Sequence, residues 1–405
     1  MGTAGKTFIF TAEKPEGPWT QQMSINTCYY DAGLLIDDDD TMYIAYGQTT
    51  LRVAQLTPDG LGEVRSQAIY TERSGKLIEG SRFYQINGSY YIWATKPADQ
   101  QHVLKSTTGP FGSYEIRQVL DRMPGPVAGG ATPHQGALVD TPDGATWHYM
   151  AFVDAYPLGR IPVLAPISWD ASGWPSIVTA TGGSWGAEYP APVPSLAGQV
   201  SKAGPYTDVF AGQDALNPRW EWNHNPDDSA WDLTDEGLEL RTATVVENLY
   251  LYLASNTLTQ RTFRPKSRGT FCLDVSRMAD GDRAGGGDPT RYHLTLGQSS
   301  WKPNSQPRVG AQGPEVAGGG EGANLWLQVR ADVTPAFAGS YQGQKRYVTF
   351  WYNVDGENFE QLGPDFALDN KWQFFMAYRF AVFNFASQAK GGAVVVREFT
   401  LEGEE

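Results

Sequence analysis

The chain has 405 residues, of which 13% are aromatic, and it contains 45 glycines, 26 prolines, 13 tryptophans and 20 tyrosines. Its formal net charge of −14 disfavours nucleic acid and an anionic membrane as partners, and a neutral ligand such as a carbohydrate fits better. No apolar run reaches the roughly 18 residues that span a membrane. Two cysteines, Cys28 and Cys272, are too few for a disulfide framework.

Residues 1–195 repeat one unit, in which a turn rich in Asp, Asn or Gly precedes an aromatic strand. Its three copies are Asp37–Asp40 before Met42–Tyr46, Asn87-Gly88 before Tyr90–Trp93, and Asp143-Gly144 before Trp147–Met150. The spacing of about 50 residues is typical of propeller blades. A plain β-sandwich would also contain hairpins, but the regular repetition favours a β-propeller.

The second half of the chain differs from the first in composition and in its pattern of predicted strands. We expect residues 196–212, with alanine, glycine and proline, to form a linker, and residues 213–405 to form an all-β domain of two packed sheets. The glycine-rich segment 281–323 is predicted to be a surface loop with little structure of its own.

Glu79 is the first candidate catalytic residue. It lies in Leu77–Tyr84, at the mouth of an aromatic hairpin that Asn87-Gly88 closes. Apolar and aromatic surroundings disfavour the ionised form of a carboxylate, which suits a general acid. An ordinary solvated glutamate at a loop edge is an equally good interpretation of this stretch alone.

Three further polar residues lie at strand starts or in the loops that lead to them. Taken singly, Asp31 is a turn aspartate, His134 a core histidine and Arg160 a surface ion-pair partner. Such positions converge on the central axis of a propeller, where ligands bind. Because they come from separate repeats, their convergence with Glu79 predicts a site.

The ordered motifs of the chain resemble glycoside hydrolase family 43. The matching segments are Asp31–Asp39, Ile78–Ser81, His134–Ala137 and Gly159–Val163 in the first half, and Met278–Gly285 and Tyr378–Asn384 in the second. The family includes β-xylosidases and α-L-arabinofuranosidases with a five-bladed propeller. In one of its branches a concanavalin-like β-sandwich follows the propeller.

The resemblance implies roles for individual residues. Glu79 matches the general acid, and Asp31 matches the carboxylate that modulates the pKa of that acid and orients it. Arg160 and Gln135 match positions that bind the sugar. His134 matches a histidine near an axial ion, often a structural calcium. The reaction that the resemblance implies inverts the anomeric carbon, and no organic cofactor is expected.

One part of the family pattern is missing. The general base of the family is an aspartate of the first blade, whereas residues 1–30 contain no aspartate, so no base is assigned in this chain. We therefore expect an N-terminally truncated propeller of about three blades. Either the chain is a fragment, or a separate chain supplies the first blades, or the fold closes differently. The function that the resemblance implies is hydrolysis of xylan- or arabinoxylan-type carbohydrates, and the alternative is a non-catalytic carbohydrate-binding or inactive fragment that lacks the general base. A polysaccharide substrate predicts secretion, although no signal peptide is visible.

Overall fold

A computed structural model describes residues 5–193, 204–246, 253–284, 292–298, 308–316, 324–372 and 375–404. The chain divides into two compact units. The first comprises residues 1–154 and 160–195, and the second comprises residues 155–159 and 196–405. Among the described residues, no helix has the length and apolarity needed to cross a membrane.

The first unit consists of antiparallel strands in chain order. A two-stranded sheet, β1 (Thr7–Thr11) and β2 (Thr20–Ile25), precedes three four-stranded sheets. The sheets contain, in turn, β3 (Gly33–Ile36), β4 (Met42–Tyr46), β5 (Thr50–Leu56) and β6 (Glu63–Thr71); β7 (Glu79–Ile86), β8 (Ser89–Lys96), β9 (Gln100–Ser106) and β10 (Glu115–Asp121); and β11 (His134–Asp140), β12 (Trp147–Asp154), β13 (Arg160–Trp169) and β14 (Pro175–Ile177). Each four-stranded sheet is a meander, the arrangement of a propeller blade.

Consecutive sheets pack face to face through apolar side chains. Leu51 of β5 and Phe83 of β7 belong to one buried cluster, and Trp93 of β8 and Tyr149 of β12 belong to the next. The rings of Trp93 and Tyr149 stack with centroids 5.0 Å apart. Successive side chains of β8 point to opposite faces, so Ile92 belongs to the first cluster and Trp93 to the second, and the middle sheet packs against both of its neighbours.

The second unit is built mainly from one large and one small sheet. Its strands are β15 (Tyr206–Val209), β16 (Glu221–Trp222), β17 (Trp231–Thr234), β18 (Gly237–Arg241), β19 (Leu258–Arg261), β20 (Lys266–Asp274), β21 (Asp282–Arg283), β22 (Tyr292–Gln298), β23 (Arg308–Val316), β24 (Asn324–Asp332), β25 (Tyr347–Asn353), β26 (Glu360–Gln361), β27 (Phe366–Ala367), β28 (Arg379–Val382), β29 (Phe385–Ala386) and β30 (Ala393–Gly403). The large sheet has the order β17-β18-β30-β20-β24-β25-β26, with β15 on β30 and β27 on β25. The small sheet is β16-β19-β28.

The two sheets enclose the core of the second unit. Phe271 and Phe399 of the large sheet share a buried cluster with Leu258 and Phe380 of the small one. A Cβ on Gly269 would lie only 2.8 Å from the ring of Phe380, so the layers are in close contact there. The prediction of an all-β chain, in which propeller-type four-stranded sheets are followed by a sandwich, is confirmed.

Two details differ from the sequence analysis. Part of the predicted linker, residues 196–203, lies outside the described residues, and its remainder contains β15, which pairs with β30. The prediction of little structure in segment 281–323 is wrong for its described residues, because β22 and β23 pair there and β21 pairs with β29. A glycine-rich composition does not prevent backbone pairing where strand residues recur.

Candidate active site

The predicted site residues meet at the starts of β3, β7 and β11. A Cβ on Gly33 of β3 would lie 2.7 Å from the carbonyl oxygen of Ser81, so the backbones of β3 and β7 touch. A Cβ on Gly80 would lie 3.0 Å from Cγ of Gln135, which brings the start of β11 to the same place. Three sheets thus contribute residues to one site.

The backbone at these strand starts has an uncommon conformation. Asp31, Gly80 and Gln135 have φ angles of 49°, 71° and 52°. The strand register also shifts directly after Glu79 and after His134, as in a β-bulge, which re-aims side chains. Asp31 itself has the positive φ, whereas Glu79 directly precedes the residue that has it, Gly80.

Glu79 opens β7 and is held by two polar neighbours. Its Oε2 accepts a hydrogen bond from Nε2 of Gln48 over 2.7 Å. The hydroxyl of Tyr30 also donates to its carboxylate. Burial raises the pKa of Tyr30, and the negative charges of Glu79 and Asp31 raise it further. Tyr30 therefore stays a neutral donor at physiological pH.

Asp31 lies within reach of the same centre. Burial raises the pKa of Asp31, against the opposing charges of Arg82 and Arg160 and a hydrogen bond from the Gly80 amide. Its Oδ2 lies 3.4 Å from Nε2 of Gln135. Because Gly80 follows Glu79 directly, Asp31 is tied to the backbone that carries the candidate acid.

His134 and Arg160 meet on a buried carboxylate. Nε of Arg160 donates to Oδ1 of Asp154 over 3.0 Å, and Nε2 of His134 lies 3.6 Å from the other oxygen. The guanidinium of Arg160 also lies 4.2 Å above the ring of Phe152. Asp154 and Phe152 thus fix the direction of Arg160 on one side of the site.

The contacts of His134 also bear on the expected ion. Nδ1 of His134 lies 3.0 Å from the Thr132 carbonyl oxygen, which can only accept, so Nδ1 carries a proton. Burial lowers the pKa of His134 and keeps the ring neutral. Calcium takes oxygen ligands, and no group of three or more His, Cys, Asp or Glu side chains suited to a metal occurs among the described residues. The residues around His134 do not form a direct ligand set for calcium, so calcium stays a prediction and no catalytic step is routed through it.

Sequence reasoning did not identify several residues of this site. Tyr30 directly precedes the matching segment Asp31–Asp39, and this position beside a candidate carboxylate could have identified it. Gln48, Arg82 and Asp154 gave no such signal, because each acquires its role from a partner that is distant in sequence or lies at a strand end.

Comparison with known proteins gives two family matches. The model described as "Glycosyl hydrolases family 43" matches residues 1–175, and the model described as "Beta xylosidase C-terminal Concanavalin A-like domain" matches residues 207–286. The second match begins within β15. Both halves of the chain therefore match the same kind of enzyme.

Solved structures and curated relatives agree. A family 43 glycoside hydrolase whose engineered active site gives both endo-xylanase and exo-arabinofuranosidase activity is 43% identical, with a TM-score of 0.86 over 99% of this chain and 82% of that one. A beta-xylosidase of Formosa agariphila is 26% identical over 87% of this chain and 63% of its own length. A non-reducing end alpha-L-arabinofuranosidase of Bacteroides ovatus is 27% identical over 58% of this chain and 46% of its own.

The chain spans about two thirds of the length of the first curated relatives it matches, 66% for a protein of Xylanibacter ruminicola and 63% for the Formosa protein. With the propeller-type sheets, the sandwich and the ordered motifs already described, these matches place it plainly: the chain belongs to glycosyl hydrolases family 43.

Proposed function

We propose that this chain contributes the general acid, and the residues that position it, to a glycoside hydrolase site for xylan-type or arabinoxylan-type carbohydrates. The observation that supports it best is Glu79 at the start of β7, held by Gln48 and Tyr30, with Asp31 bonded to the next backbone amide. The names of the relatives point to β-xylosidase or α-L-arabinofuranosidase activity. An extracellular location follows from such a polymeric substrate.

The proposed reaction uses the two carboxylates differently. Glu79 gives its proton to the glycosidic oxygen as the bond from that oxygen to the anomeric carbon breaks. A water molecule attacks the opposite face of the sugar and loses its proton to a general base, so the configuration inverts. Asp31 bears negative charge beside the acid, and Arg160 and Gln135 contact the sugar hydroxyls.

The base is proposed to come from outside the residues assigned here. An inverting site needs a second carboxylate about 6.5–9.5 Å from the acid, with room for water between them. A chain that supplies further blades would bring it. Without such a partner, the same pocket would bind sugar without cleaving it, which is the alternative function.

The experiment compares the parent chain with Glu79→Gln on two substrates that share a sugar but differ in leaving group. Nitrophenolate leaves without protonation, whereas the alkoxide of xylobiose or an arabinoxylan oligosaccharide needs it. Loss of a general acid should therefore lower kcat on the oligosaccharide by about 10²–10⁴-fold and on the aryl glycoside much less. Glu115→Gln, at an exposed position of β10, is the matched control.

The outcomes separate the two functions. A leaving-group-dependent loss, with the product anomer read by NMR, supports the hydrolase and identifies its stereochemistry. Equal loss on both substrates contradicts the acid role of Glu79. Absence of turnover by the folded parent chain, together with calorimetric binding of xylo-oligosaccharides, supports the binding function instead.

A further inference from the structure

Gln48 contacts the candidate acid, although no motif of the sequence includes it. It lies in the three-residue connection between β4 and β5, and its Nε2 donates to Oε2 of Glu79 over 2.7 Å. We propose that Gln48 is a positioning residue, which holds Glu79 so that Oε1 carries and delivers the proton. This inference rests on the proposed acid role of Glu79.

The connection that carries Gln48 is fastened to both strand starts of the site. The amide of Gly47 donates to the carbonyl oxygen of Tyr30 over 3.0 Å, and the amide of Thr49 donates to that of Ile78 over 3.0 Å. Tyr30 precedes Asp31, and Ile78 precedes Glu79. The position of the Gln48 backbone is therefore set by the two segments that bear the candidate carboxylates.

The backbone has a positive φ on both sides of Gln48, and it is strained at Thr49. Gly47 has a φ of 120°, and a Cβ there would lie 2.3 Å from the carbonyl oxygen of Thr50. Thr49 has a φ of 66°, which is rare for a β-branched residue. Such conformations persist only where surrounding contacts enforce them, and they cluster at functional sites.

A buried ion pair stabilises the connection that carries Gln48. The carbonyl oxygen of Thr49 accepts from the amide of Glu72 over 2.8 Å. The carboxylate of Glu72 lies 2.7 Å from Nζ of Lys96 and accepts from the hydroxyl of Tyr70 over 3.0 Å. The hydrogen bond from Lys96 holds the pKa of Glu72 well below its usual range, so this support stays charged throughout physiological pH.

The direction of the hydrogen bond determines which oxygen of the acid is free. An amide N–H only donates, so Oε2 must accept whether Glu79 is neutral or ionised. In the neutral acid the carbonyl oxygen is the better acceptor, so this donor favours Oε2 as the carbonyl oxygen and Oε1 as the oxygen that carries the proton. Once that proton has left, the donor from Gln48 stabilises the carboxylate. The other titratable groups nearby are Tyr30, which also donates to Glu79, and Asp31.

The test uses Gln48→Met, whose side chain has a similar length but no N–H. The matched control is Gln22→Met on β2, where the glutamine donates to a neutral acceptor, Oγ1 of Thr11, over 2.9 Å. On an oligosaccharide substrate, Gln48→Met should lower kcat by about 10- to 100-fold. It should also move the alkaline limb of the kcat profile to higher pH, because the ionised acid has lost a donor. Gln22→Met should match the parent.

The results distinguish this inference from the proposed function. A uniform loss of kcat at every pH, or a profile like that of the parent, overturns the role of Gln48 even if Glu79→Gln is inactive. Full activity of Glu79→Gln on the oligosaccharide overturns the acid role itself. A chain without turnover still gives an answer by ¹³C NMR of the Glu79 carboxyl carbon, assigned by its loss in Glu79→Gln. Titration at higher pH in Gln48→Met than in the parent supports the inference, and coincident curves refute it.

Discussion

His102 makes the stability of the first unit depend on pH. It lies on β9 with 8% of its surface exposed, and burial lowers its pKa from 6.5 to about 4, aided by the charge of Lys96 and opposed by Glu72 and Asp121. The unfolded chain therefore binds this proton more tightly than the folded chain. The free energy of unfolding must decrease as the pH falls from about 6.5 towards 4.

The magnitude follows from the two pKa values. Between pH 7 and pH 5, linkage gives a loss of about 2 kcal/mol from this one group. His102→Leu removes the titration, and its apolar side chain suits the buried position. Urea unfolding of the parent and the variant at both pH values, followed by tryptophan fluorescence, measures the difference. His134, whose pKa burial also lowers, is present in both proteins, and its contribution cancels.

The control for this experiment is the exposed His224, as His224→Gln. We expect it to keep the full pH dependence of the parent, whereas His102→Leu should lose about 2 kcal/mol less than the parent on acidification. Equal losses in parent and His102→Leu would refute the reasoning. So would an imidazole resonance of His102 that titrates near 6.5.

Two further predictions concern packing and a buried charge. Gly33→Ala would place a Cβ 2.7 Å from a backbone oxygen of β7 and should destabilise the first unit by about 1–3 kcal/mol in urea unfolding. Gly5→Ala, with no atom within 4 Å of the new Cβ, should be neutral. Asp282 is fully buried, its Oδ1 has no hydrogen-bond partner, and burial raises its pKa. The parent should therefore lose stability as the pH rises through that pKa. Asp282→Asn, which can still accept from Ala279, should flatten this trend and raise the free energy of unfolding at pH 7 by about 1–3 kcal/mol in urea unfolding; a lower free energy of unfolding there would contradict it.

The sequence predicts the local structure best where turn chemistry and strand alternation agree. Asn87 and Gly88 have φ angles of 50° and 74°, as a tight hairpin between β7 and β8 requires. The segment 281–323 shows the opposite case, because its glycine content predicts a loop although β22 and β23 pair within it. A high glycine content indicates a flexible unfolded chain, whereas strand formation depends on a partner strand, which for β22 is β23 in the same segment.

The candidate site shows the same limit. Glu79 and Asp31 are visible in the sequence because each lies in a short motif at a strand start. Gln48 is 31 residues before Glu79 and reaches it through a connection whose shape depends on hydrogen bonds to Tyr30 and Ile78. No local pattern encodes such a contact, and only the folded backbone brings the donor to the acid.

The three strand starts share one backbone feature, a positive φ angle, although the residues that adopt it differ in their side chains. Gly80 takes a positive φ at low steric cost, and a Cβ there would crowd Gln135 at 3.0 Å. Asp31 and Gln135 adopt the same region without being glycine, which costs about 1–2 kcal/mol each. In return, their side chains approach each other to 3.4 Å beside Gly80. The strained residues therefore lie on both sides of the segment that carries Glu79. Glycine at position 31 or 135 would relieve the strain, but it would also remove the side chain that the backbone conformation orients.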